Sequence, residues 1–213
     1  FIYPDLLPGS AFAWRTDGYA QAVDSLHTRP FEAPIGGLLA NCACWLSLRL
    51  GAAMDLGELL TTLRPFYTGY AINALFRKDG RVEAHQYEFA GSYLTHAQLN
   101  EQPGNTLFQA NIFSDPRSDA ARAMEYLTIE KWRNYRQRLY RTRRFLKEKQ
   151  KGQPPDGDMA FLHKMIASRA GGDWAYANRD VKAHFIQRLS ADESETWLGS
   201  GPAVPGGDDL VIR

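Results

Sequence analysis

The sequence predicts a mixed domain of helices and hairpin strands, and three observations carry that prediction. Tyr70–Arg77 (YAINALFR) and Arg81–Ala90 (RVEAHQYEFA) are rich in Val, Ile, Tyr and Phe, and Asp79-Gly80 between them supplies the positive-φ freedom a tight hairpin demands. Thr16-Asp17-Gly18 repeats that signal between Ser10–Arg15 and Tyr19–Leu26. Between the two hairpins, Leu38–Leu50 (LLANCACWLSLRL) is apolar nearly all round, the pattern of a buried helix.

The other elements follow in chain order. Phe1–Gly9 is an extended, proline-punctuated opening, and Arg29-Pro30 to Gly36-Gly37 is a loop. Asp55 caps a second helix that runs to about Leu63 and is stopped by Pro65. Thr106–Phe113 is a third short apolar run leading into Ser114-Asp115-Pro116-Arg117. Helix cannot easily begin before Pro116, so Asn111 falls at a strand end beside a turn. An uncharged amide there can donate a hydrogen bond to a ligand without bringing a charge. Ser118–Lys151 reads as one long polar helix, or two with a break. Within it, Lys131–Lys151 holds ten Lys/Arg against one acid, Glu148, while Trp132, Tyr135, Leu139 and Leu146 form a single helical stripe. Gln153-Pro154-Pro155-Asp156-Gly157 breaks the pattern. Met159–Ser168 is a short helix, Val181–Leu189 a strand with one solvated face, and Glu195–Leu198 and Leu210–Arg213 short strands around a Gly/Pro loop.

Composition bounds the function. A chain of 213 residues, 44% hydrophobic and 12% aromatic, holds enough apolar side chain for one large core, and a single domain over 1–213 is the expected organisation. Twenty-five Lys/Arg against 24 Asp/Glu leave a net charge of +1, so no global field draws nucleic acid or a membrane surface, and neither is an expected partner. Two cysteines, Cys42 and Cys44, are too few and too close for a disulfide framework, which points to a reducing, cytoplasmic setting. No apolar run approaches the roughly 18–20 residues of a membrane span.

Motifs with a fixed chemistry are scarce. Cys42 and Cys44, two apart, point in different directions on a helix and lack the spacing of a zinc site, so they read as structural thiols. The five histidines form no i, i+4 pair, and neither a metal nor a cofactor is expected. No P-loop, G-x-G-x-x-G or G-x-S-x-G occurs. The basic helix could grip phosphates through its arginines and aromatics, or be an amphipathic helix with a solvated face; the neutral total charge favours the second reading.

The order of signals nonetheless resembles one family. Leu7-Pro8-Gly9-Ser10-Ala11-Phe12-Ala13 followed by Asp17-Gly18-Tyr19 is similar to the "pG…g…N-x-x-G-l" hairpin of N-terminal-nucleophile hydrolases. The branch it resembles is the acyl-coenzyme A:6-aminopenicillanic acid acyltransferase type, related to choloylglycine (bile-salt) hydrolases. Gly36–Leu50, with Arg49, resembles the family's "G-x-p…l-x-R-x-l-L" helix, and Asp55–Leu63 its "t-x-e-E-A" helix. Asn73–Phe89 resembles the D-x-x-G hairpin, with Glu88 at the family's acid. Gln109-Ala110-Asn111-Ile112-Phe113 resembles "x-T-N-h-f", and Ser200-Gly201-Pro202 the closing "x-G-p-p" loop.

The resemblance implies an α+β fold of the αββα sandwich type, two antiparallel sheets face to face and covered by helices, with the 118–151 helix as an excursion. It implies hydrolysis of a linear amide, or acyl transfer, through a cysteine freed by autoproteolysis. That cysteine's own α-amine serves as base, and no cofactor takes part. Asn111 would match the oxyanion-hole amide; its alternative role is to cap the turn before Ser114-Asp115. The nucleophile and the "R-N-x-D" segment after it are not among these residues, so the resemblance implies an incomplete N-terminus and a second polypeptide, the autoproteolytic fragment, alongside a small amide or acyl substrate. Two family amides are charged here, at Arg15 and Asp24. The pair could bind a zwitterionic substrate, or form a plain surface ion pair. A second class of function is a non-catalytic binding protein of the same fold that engages a partner through the 131–151 helix.

Overall fold

A computed structural model describes residues 7–9, 11–28, 37–51, 54–101, 107–114, 126–152, 159–167, 183–200 and 210–212. The chain divides into two compact units, Phe1–Ile129 and Glu130–Arg213. The class is α+β, with one antiparallel sheet in each unit and helices alongside, as expected.

The first unit is built on a five-stranded meander of β1 (Phe12–Trp14), β2 (Tyr19–Leu26), β3 (Phe66–Lys78), β4 (Arg81–Gly91) and β5 (Tyr93–Gln98), neighbours in that order. Asp79 and Gly80 both adopt positive φ, 51° and 72°, which is the twist-matched hairpin turn the Asp-Gly pair predicts. Strand β5 is absent from the sequence reading. It returns through Gly91-Ser92, with Gly91 at φ 56° and Ala90 paired to Tyr93, so a Gly-Ser turn does there what Asp-Gly does elsewhere. The strand expected over 106–113 does not form as a strand: within 107–114 there is one bridge, Ala110 to Ile112. Gln109 is the reason. Its Nε2 donates to the carbonyls of both Ala110 and Ile112, at 2.6 and 2.7 Å, and curls the segment on itself.

Helix α1 (Ala40–Leu50) lies between β2 and β3 in sequence, followed by α2 (Leu56–Leu63). The buried residues of α1 are Ala40, Ala43, Cys44 and Ser47, a stripe at i, i+3, i+4, i+7 made only of small side chains. The helix is therefore covered on one stripe rather than all round, and small residues let its backbone approach the sheet. Asp55 caps α2 as expected, Oδ1 accepting from Glu58 N–H at 3.0 Å, and Leu56 and Leu60 are buried one turn apart. These helices cover one sheet face, where Tyr19, Ile72, Ala74, Tyr87 and Phe89 join Ala43, Cys44, Leu56, Leu60 and Phe66 in the main core. One polar knot lies within it. Gln21 Oε1 accepts from the Tyr19 and Ser47 hydroxyls, while Nε2 donates to the carbonyls of Gly9 and Cys44. Gln21 thus has both ends satisfied, which offsets the cost of burying it. Burial pushes the Cys44 thiol and the Tyr19 hydroxyl well above their usual range, so neither ionises.

The second unit contains α3 (Ile129–Gly152), α4 (Met159–Ile166) and a three-stranded antiparallel sheet of β6 (Ala183–Leu189), β7 (Ser194–Ser200) and β8 (Leu210–Ile212). The long helix expected over 118–151 is present from Ile129; residues 118–125 lie outside the described residues, as do the Gly/Pro loop at 201–209 and the start of the expected 181–189 strand. On α3 the inward residues are Leu139 and Thr142, with Tyr135 half-buried. Trp132, expected on the apolar stripe, is 45% exposed. No helix among the described residues is long and apolar enough to cross a membrane.

Candidate functional site

Residues 84–90 of β4 are buried one after another, so both faces of this central strand are covered. The face turned away from α1 and α2 is where polar chemistry collects. Register places Asn73 of β3 opposite Gln86 of β4, and Ala71 opposite Glu88. Gln86 Nε2 donates to Asn73 Oδ1 at 2.8 Å and to Gln109 Oε1 at 2.9 Å. Glu88, only 2% exposed, accepts through Oε1 from the backbone N–H and the hydroxyl of Ser114, both at 2.7 Å. Phe113 stands edge-on to Tyr93, ring centroids 5.6 Å apart, in a small apolar cluster with Leu26, Ala71 and Ala90. The 107–114 segment has almost no ladder of its own; it is held to the sheet by side chains. A buried carboxylate grips one end through Ser114, and two glutamines grip the other.

Asn111 rides on this clamped segment. Its Nδ2 donates to the Ser25 carbonyl near the end of β2, at 3.0 Å, and the side chain is partly exposed. A primary amide has two N–H donors, and this bond orients the group through one of them.

The two charged residues singled out with it lie at opposite ends of β2. Asp24 is half-buried and precedes Ser25, so it is a close neighbour of the Asn111 docking point. Arg15 packs where the chain enters the strand, its N–H bonded to the Tyr19 carbonyl. Along the strand that is a separation of about 17 Å from Asp24, and the structure does not bring the two charges together. Arg15 instead forks onto Asp17, Nε to Oδ1 at 3.1 Å and Nη2 to Oδ2 at 2.5 Å. Its Nη1 donates to the carbonyls of Leu48 and Arg49, the free end of α1. A cation there satisfies carbonyls the helix cannot pair itself and complements the helix dipole.

Gln86, Gln109 and Ser114 escaped the sequence reading. For Gln86 the signal is its place two residues before Glu88 on one face of β4; such a polar pair normally reads as a solvated face. No group of three or more His, Cys, Asp or Glu among the described residues could hold a metal ion. No protein-family model matches the sequence, and no curated protein matches it either.

Proposed function

We propose that this chain is the larger part of an amide-bond hydrolase or acyltransferase whose cysteine nucleophile stands at the N-terminus of a second, autoproteolytically released polypeptide, and that Asn111 supplies a donor to the oxyanion. The observation that supports this reading is the fastening of Asn111: a partly exposed amide on a segment locked by Glu88, Gln86 and Gln109. An oxyanion donor acts by preorganisation, needing no rearrangement as charge develops, and a donor held by buried side chains meets that requirement.

In this reading the cysteine thiol gives its proton to its own α-amine as sulfur attacks the amide carbonyl. The carbonyl oxygen takes up the electron pair and accepts from Asn111 Nδ2. Collapse breaks the C–N bond, the ammonium returns the proton to the leaving amine, and a thioester remains for water or an acceptor amine to resolve. Asp24, beside the docking point, would meet a cationic part of the substrate, whereas Arg15 is committed to Asp17 and to the carbonyls that end α1. The cytoplasmic setting belongs to the same proposal. A binding protein of this fold is the second reading, and what favours it is α3, where Arg133, Tyr140, Arg143 and Lys147 are all exposed.

Intact-mass spectrometry of the native sample under denaturing conditions tests the enzyme reading. A second polypeptide beginning with Cys, Ser or Thr is expected, and a lone species of 24.0 kDa sinks the proposal. In the two-chain protein, Asn111→Ala should lower turnover of a panel of acyl anilides about 10²–10³-fold with the melting temperature nearly unchanged.

A further inference from the structure

On the α-helical side of the same sheet, three side chains form a chain of their own, and the inference it carries does not depend on the reading above. His85 of β4 is nearly buried, with Nε2 3.1 Å from Glu83 Oε2 and Nδ1 2.7 Å from Nε2 of His96 on β5. An ionised carboxylate can only accept, so His85 carries its hydrogen on Nε2, and its bare Nδ1 accepts from His96 Nε2–H. Ring packing fixes this arrangement. His85 stacks on Phe76 at 4.9 Å, and His96 on Tyr87, its register partner, at 4.6 Å. Neither imidazole can swing away without uncovering aromatic surface.

The bond therefore depends on how many protons the pair holds. With none added it is a neutral N–H···N bond. One added proton, on either ring, leaves a single N–H in the contact and makes the bond charge-assisted. A second sets N–H against N–H across 2.7 Å and places two cations ring to ring. Three anions face the pair: Glu83 on β4, Asp55 at the head of α2, and Glu101 in the short 3-10 turn after β5. For His96 they do not prevail. Burial first, and the neighbouring His85 second, hold it below the ordinary histidine value against the pull of Glu101 and Asp55. We propose that Glu83, His85 and His96 form a proton-operated latch on the edge strand β5, closed while the imidazole pair holds at most one added proton and open when it holds two.

Because β5 pairs only with β4 among the described residues, opening should appear in its own backbone. The test is amide hydrogen exchange of the whole protein between pH 8 and pH 5, expressed as protection corrected for intrinsic rate. Protection of residues 94–98 is expected to drop about tenfold relative to β2 and β3, the equivalent of one pKa unit of coupling. The His96 ring nitrogens should shift over the same pH range. His96→Gln should abolish the drop, and Glu83→Gln, by removing the anion beside His85, should move it to lower pH. The latch is overturned if protection of 94–98 is flat with pH, if the drop survives in His96→Gln, or if Glu83→Gln moves it upward. Amides of β2 and β3 report in the same spectra whether each variant is folded; should His96→Gln unfold, the direction of the Glu83→Gln shift decides alone.

Discussion

The two faces of the five-stranded sheet solve burial in opposite ways. Toward α1 and α2 the strands present Tyr19, Ile72, Ala74, Tyr87 and Phe89, closed by small helix residues and by Phe66, whose ring lies 4.4 Å from Phe89. Away from the helices the same strands present Asn73, Gln86 and Glu88, each matched to a named partner. The apolar face gains from water exclusion, which is non-directional and tolerant of small shifts. The polar face gains little net free energy from its hydrogen bonds, yet a lost partner costs a buried desolvated group. A face of the first kind holds a fold together. A face of the second kind holds one short segment in one geometry, which is what a site needs.

The largest expected effect breaks the apolar face. Phe89→Ala removes a fully buried ring and should cost about 3–5 kcal/mol, read as a fall in the urea midpoint with the slope unchanged. Next comes the polar face. Ser114→Ala removes the hydroxyl donor from Glu88 Oε1 and should cost about 1–2 kcal/mol. It should also loosen Asn111, visible as faster exchange of its side-chain amide, an effect Phe89→Ala would not single out. The smallest effect sharpens the contrast at the edge of the helix-covered face. His96 has its folded pKa lowered, so the unfolded chain binds the proton more readily. Its contribution is complete above about pH 6.5 and is lost as pH falls below that value. Urea midpoints at pH 7.5 and pH 5 should therefore differ more in the wild type than in His96→Gln. An equal difference in both would remove His96 from the pH dependence.

Much of the scaffold was legible in the sequence because its signals are local. Asp79-Gly80 turns, Asp55 caps, and the β2 and α1 boundaries fall within a residue or two of expectation, each being set by backbone sterics or a neighbouring donor. Strand β5 went unread because its turn, Gly91-Ser92, is less distinctive than Asp-Gly. The 106–113 run was read as a strand because apolar content cannot reveal that Gln109 will bond the carbonyls of Ala110 and Ile112. At the candidate site Asn111 is singled out by its position before a turn, whereas Gln86, Gln109 and Ser114 are not, since alternate polar residues of a strand normally face water and the partners of a loop side chain are set by packing.

Charge shows the same boundary between what is local and what is not. Sequence alone puts nine Lys/Arg against thirteen Asp/Glu in the first unit and sixteen against eleven in the second, a polarity the near-zero total conceals. It determined the fold class, the hairpin turns and the capped helix, because each depends on residues within a few positions of one another. Only the tertiary structure decided that Arg15 closes the end of α1, that Glu88 is buried under Ser114, and that His85 meets His96. Those partners lie between 11 and 34 positions apart, and which distant side chain satisfies a buried polar group is settled by how the elements pack.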